Sequence, residues 1–130
     1  MSGEMDLQTL FQTMTATLKD GLYVFATFES DVPEVLSIMR FEEAEGTTLI
    51  LLKSDADVAG ITYEFPCRMI TLNVHSALDA VGFLAHIATK LAAQNMGVNP
   101  VAGFYHDHLF IPDGRERDAM ATLEQIAKDA

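Results

Sequence analysis

The residues best suited to chemistry lie between His75 and Gly82, where a predicted strand gives way to a predicted helix. Ser76 and Asp79 have the spacing of a capping box, in which a hydroxyl and an acid satisfy free amides at a helix start. The amides that stay free there, with the positive end of the helix dipole, suit a carboxylate. Gly82 has no side chain, so a strand or a ligand can approach its backbone closely. The pattern leaves two interpretations open: a ligand site, or a loop that only caps the helix.

Three of the four histidines suggest a second chemistry. His106 and His108 are separated by one residue, which points both side chains to one face of a strand. His75 ends another predicted strand. Zinc sites take three or four protein ligands. However, we expect a tight reversal at His106-Asp107, where polar residues are common. Metal binding through these histidines is therefore the weaker hypothesis, and we expect neither a metal nor a cofactor.

A catalytic centre is not indicated. Nucleophilic catalysis needs a base beside the nucleophile, and acid–base catalysis often needs paired carboxylates in a cleft. Cys67 follows Pro66 in an apolar context, and we expect it to be a small buried hydrophobe. Helix capping already accounts for Asp79. We therefore expect a protein that is not an enzyme.

Composition excludes several partners. The 130 residues are 49% apolar, with 8 basic against 19 acidic side chains and a net charge of −11. Such a surface repels nucleic acid and anionic lipid, which bind clustered lysines and arginines. No apolar run approaches the roughly 20 residues of a membrane-spanning helix, and Glu4 and Asp6 stand where a signal peptide is positively charged. With a single cysteine, no internal disulfide is possible, so we expect a cytoplasmic protein.

Two elements must position the loop from His75 to Gly82. Residues 68–75 alternate between apolar and polar, as a strand with one covered face requires. Beyond the loop, apolar residues recur at steps of four and three, which predicts one stripe of a helix: Ala77, Val81, Leu84, Ala88 and Leu91. Gly97 follows the end of that helix. Residues 98–105 and 108–111 predict two further strands.

The rest of the chain repeats this order weakly. We predict a helix over residues 6–19, strands over 22–28, 35–41 and 47–52, a short helix after a capping box at Ser54–Asp57, and a last helix after Asp113. The first half has no counterpart of the helix that follows His75. We expect the N-terminal helix to cover the sheet face that is left open there. The pattern predicts an α+β protein with antiparallel sheets and helices on one face. The first unit spans residues 1–65 and is a degenerate copy of the second, which spans residues 66–130.

The run from Val81 to Gly103 resembles the ACT domain. In that family a Gly followed by apolar residues opens the first helix, and a Gly ends it before a strand of the Ile-Asn-Ile type. Gly82-Phe83-Leu84 and Gly97-Val98-Asn99 occupy those places. The whole chain is similar to small bacterial stand-alone proteins in which two ACT-like units are fused. The resemblance implies tandem ferredoxin-like βαββαβ units, sheets joined edge to edge, and binding of a small ligand, usually an amino acid.

The resemblance also implies where the ligand lies, at the loop before the helix and against a neighbouring strand. The site residues expected on this basis are His75, Ser76, Ala77, Asp79, Val81, Gly82, Phe83 and Asn99. His75-Ser76-Ala77 replaces the Pro-Gly type of loop, so the identity of the ligand does not carry over. We expect a homodimer, because natural proteins rarely leave long apolar sheet edges unpaired; the alternative is that the two units within one chain pair with each other. The alternative function is a pure dimerisation module that binds no ligand.

Overall fold

Residues 2–19 fold with the second half of the chain. The computed structural model describes residues 2–130, which form two compact units: unit 1 comprises residues 2–19 and 68–130, and unit 2 comprises Asp20–Cys67. In chain order the elements are α1 (Leu7–Thr13), β1 (Ala16–Leu18), β2 (Tyr23–Phe28), β3 (Met39–Glu42), β4 (Thr47–Leu52), α2 (Lys53–Ala59), β5 (Glu64–Leu72), α3 (Phe83–Ala92), β6 (Asn99–Ala102), β7 (Asp107–Pro112) and α4 (Glu116–Asp129). No helix in residues 2–130 is long and apolar enough to cross a membrane.

The sheet of unit 1 has the strand order β1-β5-β7-β6. β1 is antiparallel to β5, with Ala16 opposite Leu72, and β6 is antiparallel to β7, with Asn99 opposite Phe110. The apolar residues that alternate along β5 and β7 point to one face, as the sequence predicts for β5. Helices α1, α3 and α4 cover that face, and the side chains of the shared core include Leu10, Phe11, Ile70, Leu72, Phe83, Ile87, Leu91, Leu109, Ile111, Leu123 and Ile126.

The N-terminal helix differs from its prediction in length and in place. Asp6 caps α1 by accepting a hydrogen bond from the Thr9 amide at 3.0 Å, but the helix ends at Thr13. Residues 16–18 form β1 instead. Their pairing with β5 satisfies backbone groups of β5 that would stay unpaired if the helix continued through these residues. Phe11 and Met14 lie in the core of unit 1. The prediction that this helix covers the first half of the chain is therefore wrong.

Helix α3 begins six residues later than predicted. Gly82 is its N-cap, with a left-handed φ of +90°, and Phe83 is its first residue. The predicted capping box is wrong, since the Ser76 hydroxyl donates to Asp107 Oδ2 at 3.0 Å rather than to a helix amide. The predicted apolar stripe is wrong at Val81, whose side chain is 83% exposed. The side chains of α3 that are buried are the bulky ones four residues apart, Phe83, Ile87 and Leu91.

Unit 2 is a smaller antiparallel sheet with one helix. β4 lies between β3 and β2, and Cys67 near the start of β5 pairs with Tyr23. α2 and one face of the sheet enclose a core of Val24, Ala26, Leu49, Leu51 and Ala56. The predicted strand over residues 35–41 is confined to Met39–Glu42, and α2 begins at Lys53 with no side-chain cap, so the capping box predicted there is wrong. Cys67 is fully buried and its thiol donates to the Tyr23 carbonyl at 3.3 Å, as expected of a small core residue.

Candidate functional site

The loop between β5 and α3 is held by the N-terminal segment of the chain. The Glu4 amide donates to the His75 carbonyl at 2.8 Å, and the Ala77 amide donates to the Glu4 carbonyl at 2.9 Å. Gly3 lies so close to the loop that a Cβ on it would be 2.7 Å from the Ala77 nitrogen. Because these contacts involve backbone atoms, they fix the path of the loop rather than of single side chains. Residues 75–77 therefore approach α3 in a defined conformation.

A pocket of about 160 Å³ lies at the N-terminal end of α3. It is lined by Ser76, Ala77, Leu78, Ala80, Gly82, Phe83, Leu84, Ala85, Ala102 and Asp107. In an α-helix the first amides have no acceptor within the helix, and in α3 these are the N–H groups of Phe83, Leu84 and Ala85. The positive end of the helix dipole reinforces them. This wall of the pocket is chemically suited to a carboxylate.

Asp107 supplies an acidic group to the same pocket, and it was not among the site residues predicted from the sequence. It is the first residue of β7, is only 5% exposed, and accepts the hydrogen bond from Ser76. Burial raises the pKa of this carboxyl above its ordinary value of 3.8, while the Ser76 hydrogen bond and the nearby His108 and His106 oppose that rise. A buried acid with one hydrogen-bond donor favours a cationic neighbour. Its place in a predicted turn hid it, because turn residues are expected to be polar and exposed.

The structure brings four of the eight predicted site residues together and leaves the other four outside this pocket. Ser76, Ala77, Gly82 and Phe83 line it. Asp79 lines a neighbouring pocket of about 220 Å³ with Ser2, Leu78 and Phe104. The His75 ring packs against Phe104 and Tyr105, with ring centroids 6.1 and 5.1 Å away. The side chains of Val81 and Asn99 are exposed to solvent and line neither pocket.

The histidines do not assemble as metal ligands. His108 Nδ1 is 3.0 Å from the Thr71 hydroxyl, and burial lowers the pKa of its ring. His75 contacts the aromatic rings described above and lies within 3.3 Å of the Ser2 hydroxyl. Within residues 2–130, no group of three or more His, Cys, Asp or Glu side chains has the arrangement to hold a metal ion. The hypothesis of a site built from His75, His106 and His108 thus has no geometric support.

Comparison with known proteins assigns the family. Residues 2–68 and residues 64–125 each match the ACT domain. The chain therefore belongs to the ACT domain family, whose members are typically regulatory modules that bind small ligands. This confirms the predicted family and the predicted α+β fold of tandem ferredoxin-like units with antiparallel sheets. No curated protein sequence matches the chain.

Solved structures agree with this assignment. A Vibrio cholerae protein, described as of unknown function and a possible transport protein, is 39% identical over 93% of this chain and 95% of its own, with a TM-score of 0.83. A protein from Agrobacterium tumefaciens has the same fold at 14% identity, with 88% of this chain and 89% of its own aligned and a TM-score of 0.74. An aspartate kinase from Clostridium acetobutylicum, described as an allosteric enzyme, aligns over 90% of this chain and 34% of its own at 9% identity, with a TM-score of 0.67.

Proposed function

We propose that this protein is a non-catalytic regulatory module that binds an amino acid in the pocket at the start of α3. One observation carries the proposal: the first-turn residues of α3, whose amides have no acceptor within the helix, and the buried Asp107 line the same small pocket. An amino acid has a carboxylate for the first and an ammonium group for the second. The volume of about 160 Å³ lies below the roughly 300 Å³ at which pockets for drug-sized ligands begin. The ligand therefore has a short side chain.

Because Asp107 is acidic, binding of the ligand's carboxylate depends on its ammonium group. Without a ligand, burial disfavours the charged form of Asp107. A ligand ammonium placed beside the carboxylate favours that charged form, and Ser76 keeps the carboxylate oriented. A ligand that lacks the ammonium would bring a second negative charge close to Asp107. We therefore expect the pocket to reject simple carboxylic acids and to bind their amino counterparts.

The test is a thermal-shift screen of the amino acids, followed by calorimetry on any that stabilise the protein. We expect a small amino acid to bind, and its amide and its desamino analogue to bind at least tenfold more weakly. Asp107→Asn should abolish binding, whereas Asp79→Asn, which changes an exposed acid outside the pocket, should preserve it. If no amino acid stabilises the protein, or if the Asp107 variant binds as wild type does, the proposed ligand or site is wrong.

A second candidate function is dimerisation without a ligand, and one observation favours it. β6 ends the strand order, and next to it Phe104 and Tyr105 are 57% and 61% exposed. An exposed apolar patch beside a sheet edge is a surface with which another chain can pair. We propose that a homodimer forms through this edge in the cytoplasm, with or without the amino acid. Sedimentation should show a dimer that Phe104→Ser with Tyr105→Ser converts to a monomer; a wild type that is monomeric throughout the micromolar range would contradict it.

A further inference from the structure

The negative charge of the protein is concentrated in unit 2. Asp20–Cys67 contains 10 acidic and 2 basic side chains, so its net charge is −8, whereas the rest of the chain, with 9 acidic and 6 basic side chains, carries −3. Both basic side chains of unit 2 already form ion pairs, Arg40 with Glu42 at 2.7 Å and Lys53 with Asp57 at 2.9 Å. The surface of unit 2 therefore attracts a cationic partner more strongly than the rest of the chain does.

Strand β3 lies at the edge of unit 2 and has backbone groups that no other strand satisfies. It ends the strand order, and among residues 2–130 it pairs with β4 alone. At the turn that follows it, Glu43 and Gly46 exchange both backbone hydrogen bonds, at 2.8 and 3.3 Å. Such pairs alternate along an antiparallel ladder, so Phe41 bonds to β4, whereas the N–H and C=O groups of Arg40 and Glu42 point away from it. These four groups are in position to pair with an added strand.

The surface beside this edge is apolar as well as acidic. Phe41 is 63% exposed, and Leu36 and Ile38, which precede the strand, are exposed too. Phe41 and Glu43 point to the same face of the sheet, because they are two residues apart on an extended chain. On that face a cavity of about 470 Å³ is lined by Phe25, Ala26, Thr27, Glu43, Thr48, Thr62, Tyr63 and Glu64. This lining contains two carboxylates and no basic side chain.

The two larger grooves of unit 1 differ from this cavity in charge. The groove of about 760 Å³ between α1, α3 and α4 is lined by both Lys90 and Asp129. The groove of about 440 Å³ between β1 and α4 is lined by both Lys128 and Glu124. An acid and a base in one groove favour neither sign of charge in a ligand. In the cavity of unit 2 both charges are negative, and the two basic side chains of that unit are engaged in ion pairs elsewhere.

We propose that the edge of β3 binds an extended basic segment of a partner protein as an additional strand. The backbone of the segment pairs with the outward groups of Arg40 and Glu42, an apolar side chain packs on Phe41, and a lysine or arginine lies at Glu43 beside the cavity. A second copy of the chain is the less suitable occupant of this edge, since it would bring together two units of net charge −8. The proposal does not depend on amino-acid binding, because none of these residues lines the pocket at the start of α3.

The experiment titrates the full chain with short peptides and follows its amide chemical shifts by NMR. The reference peptide is acetyl-Lys-Thr-Val-Thr-Lys-amide, whose palindromic sequence places a lysine opposite Glu43 in either strand direction when its valine is opposite Phe41. We expect it to shift resonances of β3 and β4 and to bind about tenfold more tightly than acetyl-Glu-Thr-Val-Thr-Glu-amide, since attraction at exposed charges is replaced by repulsion. Equal affinity of the two peptides, or absence of binding at millimolar concentration, overturns the proposal.

Methylation of the peptide's own amides tests the backbone pairing. In this register the two threonines are opposite Arg40 and Glu42, so their amides face β3, whereas the valine amide points away from it. Methylation of both threonine amides should abolish binding, and methylation of the valine amide should preserve it, although both peptides keep the same charge and side chains. Equal affinity of the two methylated peptides would rule out strand addition.

Two variant pairs locate the site on the protein. Arg40→Pro removes an outward N–H that β4 does not use and should weaken binding of the reference peptide about fivefold, whereas Arg40→Gln removes the same charge, keeps the donor and should not weaken it. Glu43→Gln should weaken binding about fivefold, whereas Glu124→Gln, the same change at an exposed acid of α4, should not. Circular dichroism identifies the variants that remain folded.

Each pair has an outcome that refutes the location. A folded Arg40→Pro variant that binds as Arg40→Gln does, or equal effects of the two glutamate substitutions, would place the peptide elsewhere. If Arg40→Pro does not fold, the methylated peptides still decide whether a strand is added. Shifts of β3 resonances that depend on protein concentration in the absence of peptide would assign this edge to a second copy of the chain and also refute the proposal.

Discussion

Removal of the Ser76 hydroxyl should destabilise the protein through Asp107 rather than through α3. Asp107 is 5% exposed and receives a hydrogen bond from Ser76 at 3.0 Å. A hydrogen bond to a charged group contributes about 1.5–3 kcal/mol, and one between neutral groups about 0.5–1.5 kcal/mol. Ser76→Ala should therefore lower the free energy of unfolding by about 1.5–3 kcal/mol at pH 7. In an Asp107→Asn background it should cost about 1 kcal/mol less, because the hydrogen bond is then between neutral groups.

The raised pKa of Asp107 determines whether its contribution to stability rises or falls with pH. Burial raises the pKa of Asp107 in the folded protein above its ordinary value of 3.8, so the folded state keeps its proton at a pH where the unfolded state has lost it. The contribution of this group to stability is fully present below pH 3.8 and is lost as the pH rises through the raised pKa. The slope from this one proton is at most about 1.4 kcal/mol per pH unit. Asp107→Asn should therefore gain stability relative to wild type as the pH rises from 4 to 7.

Urea denaturation followed by circular dichroism at pH 4, 5, 6 and 7 measures both effects in a double-mutant cycle. Ser54→Ala is the control, because Ser54 is exposed, and it should change stability by less than about 0.5 kcal/mol. A coupling between Ser76 and Asp107 below about 0.5 kcal/mol at pH 7, within the error of such additivity tests, would refute the reasoning. So would a stability difference between wild type and Asp107→Asn that does not change with pH.

Three further predictions follow from the backbone and from the buried thiol. Burial raises the pKa of Cys67 to about 12, so at pH 8 only about one thiol in 10⁴ is ionised; a disulfide reagent should react with it only in urea, and rapid reaction in buffer would contradict the burial. Gly3→Ala should expose the Ala77 amide to hydrogen exchange because its Cβ meets the loop backbone at 2.7 Å, whereas Gly114→Ala, with a similar φ of +93° and open space around it, should not. Gly82→Ala should cost about 1–2 kcal/mol of stability, because an L-residue is strained at a φ of +90° and its Cβ would contact only Leu7 at 3.8 Å. Gly97→Ala, where φ is ordinary and no atom lies within 4 Å, is the matched control, and equal effects of the two would rule out backbone strain.

The sequence predicted the parts of this protein that depend on local periodicity. Ile70 and Leu72 alternate with polar residues, and that alternation identified β5 and its covered face. It could not place the start of α3, because Ser76 and Asp79 match a capping box by spacing alone while Gly82 adopts the left-handed conformation that opens the helix. The partner of Ser76 lies 31 residues along the chain, and no local pattern reports such a contact.

The candidate site was predicted in part for the same reason. Ser76, Ala77, Gly82 and Phe83 are neighbours in sequence and remain neighbours around the pocket. Asp107 was not foreseen as a site residue, because it reaches the pocket through the pairing of β6 and β7. The N-terminal helix was assigned to the wrong core for a related reason. Its apolar face predicts that it packs on a sheet, but not which sheet, since the choice depends on contacts between residues far apart in sequence.

The backbone pairing of Glu4 with the loop has a kinetic consequence. Two hydrogen bonds, to His75 and from Ala77, tie residues 3–6 to the loop that borders the pocket. A pairing of only two hydrogen bonds opens more readily than the core does, so it can break while the rest of unit 1 stays folded. The residence time of a bound molecule would then follow the lifetime of that pairing. A substitution that loosens the segment, such as Gly3→Ala, would shorten residence without removing any side chain that lines the pocket.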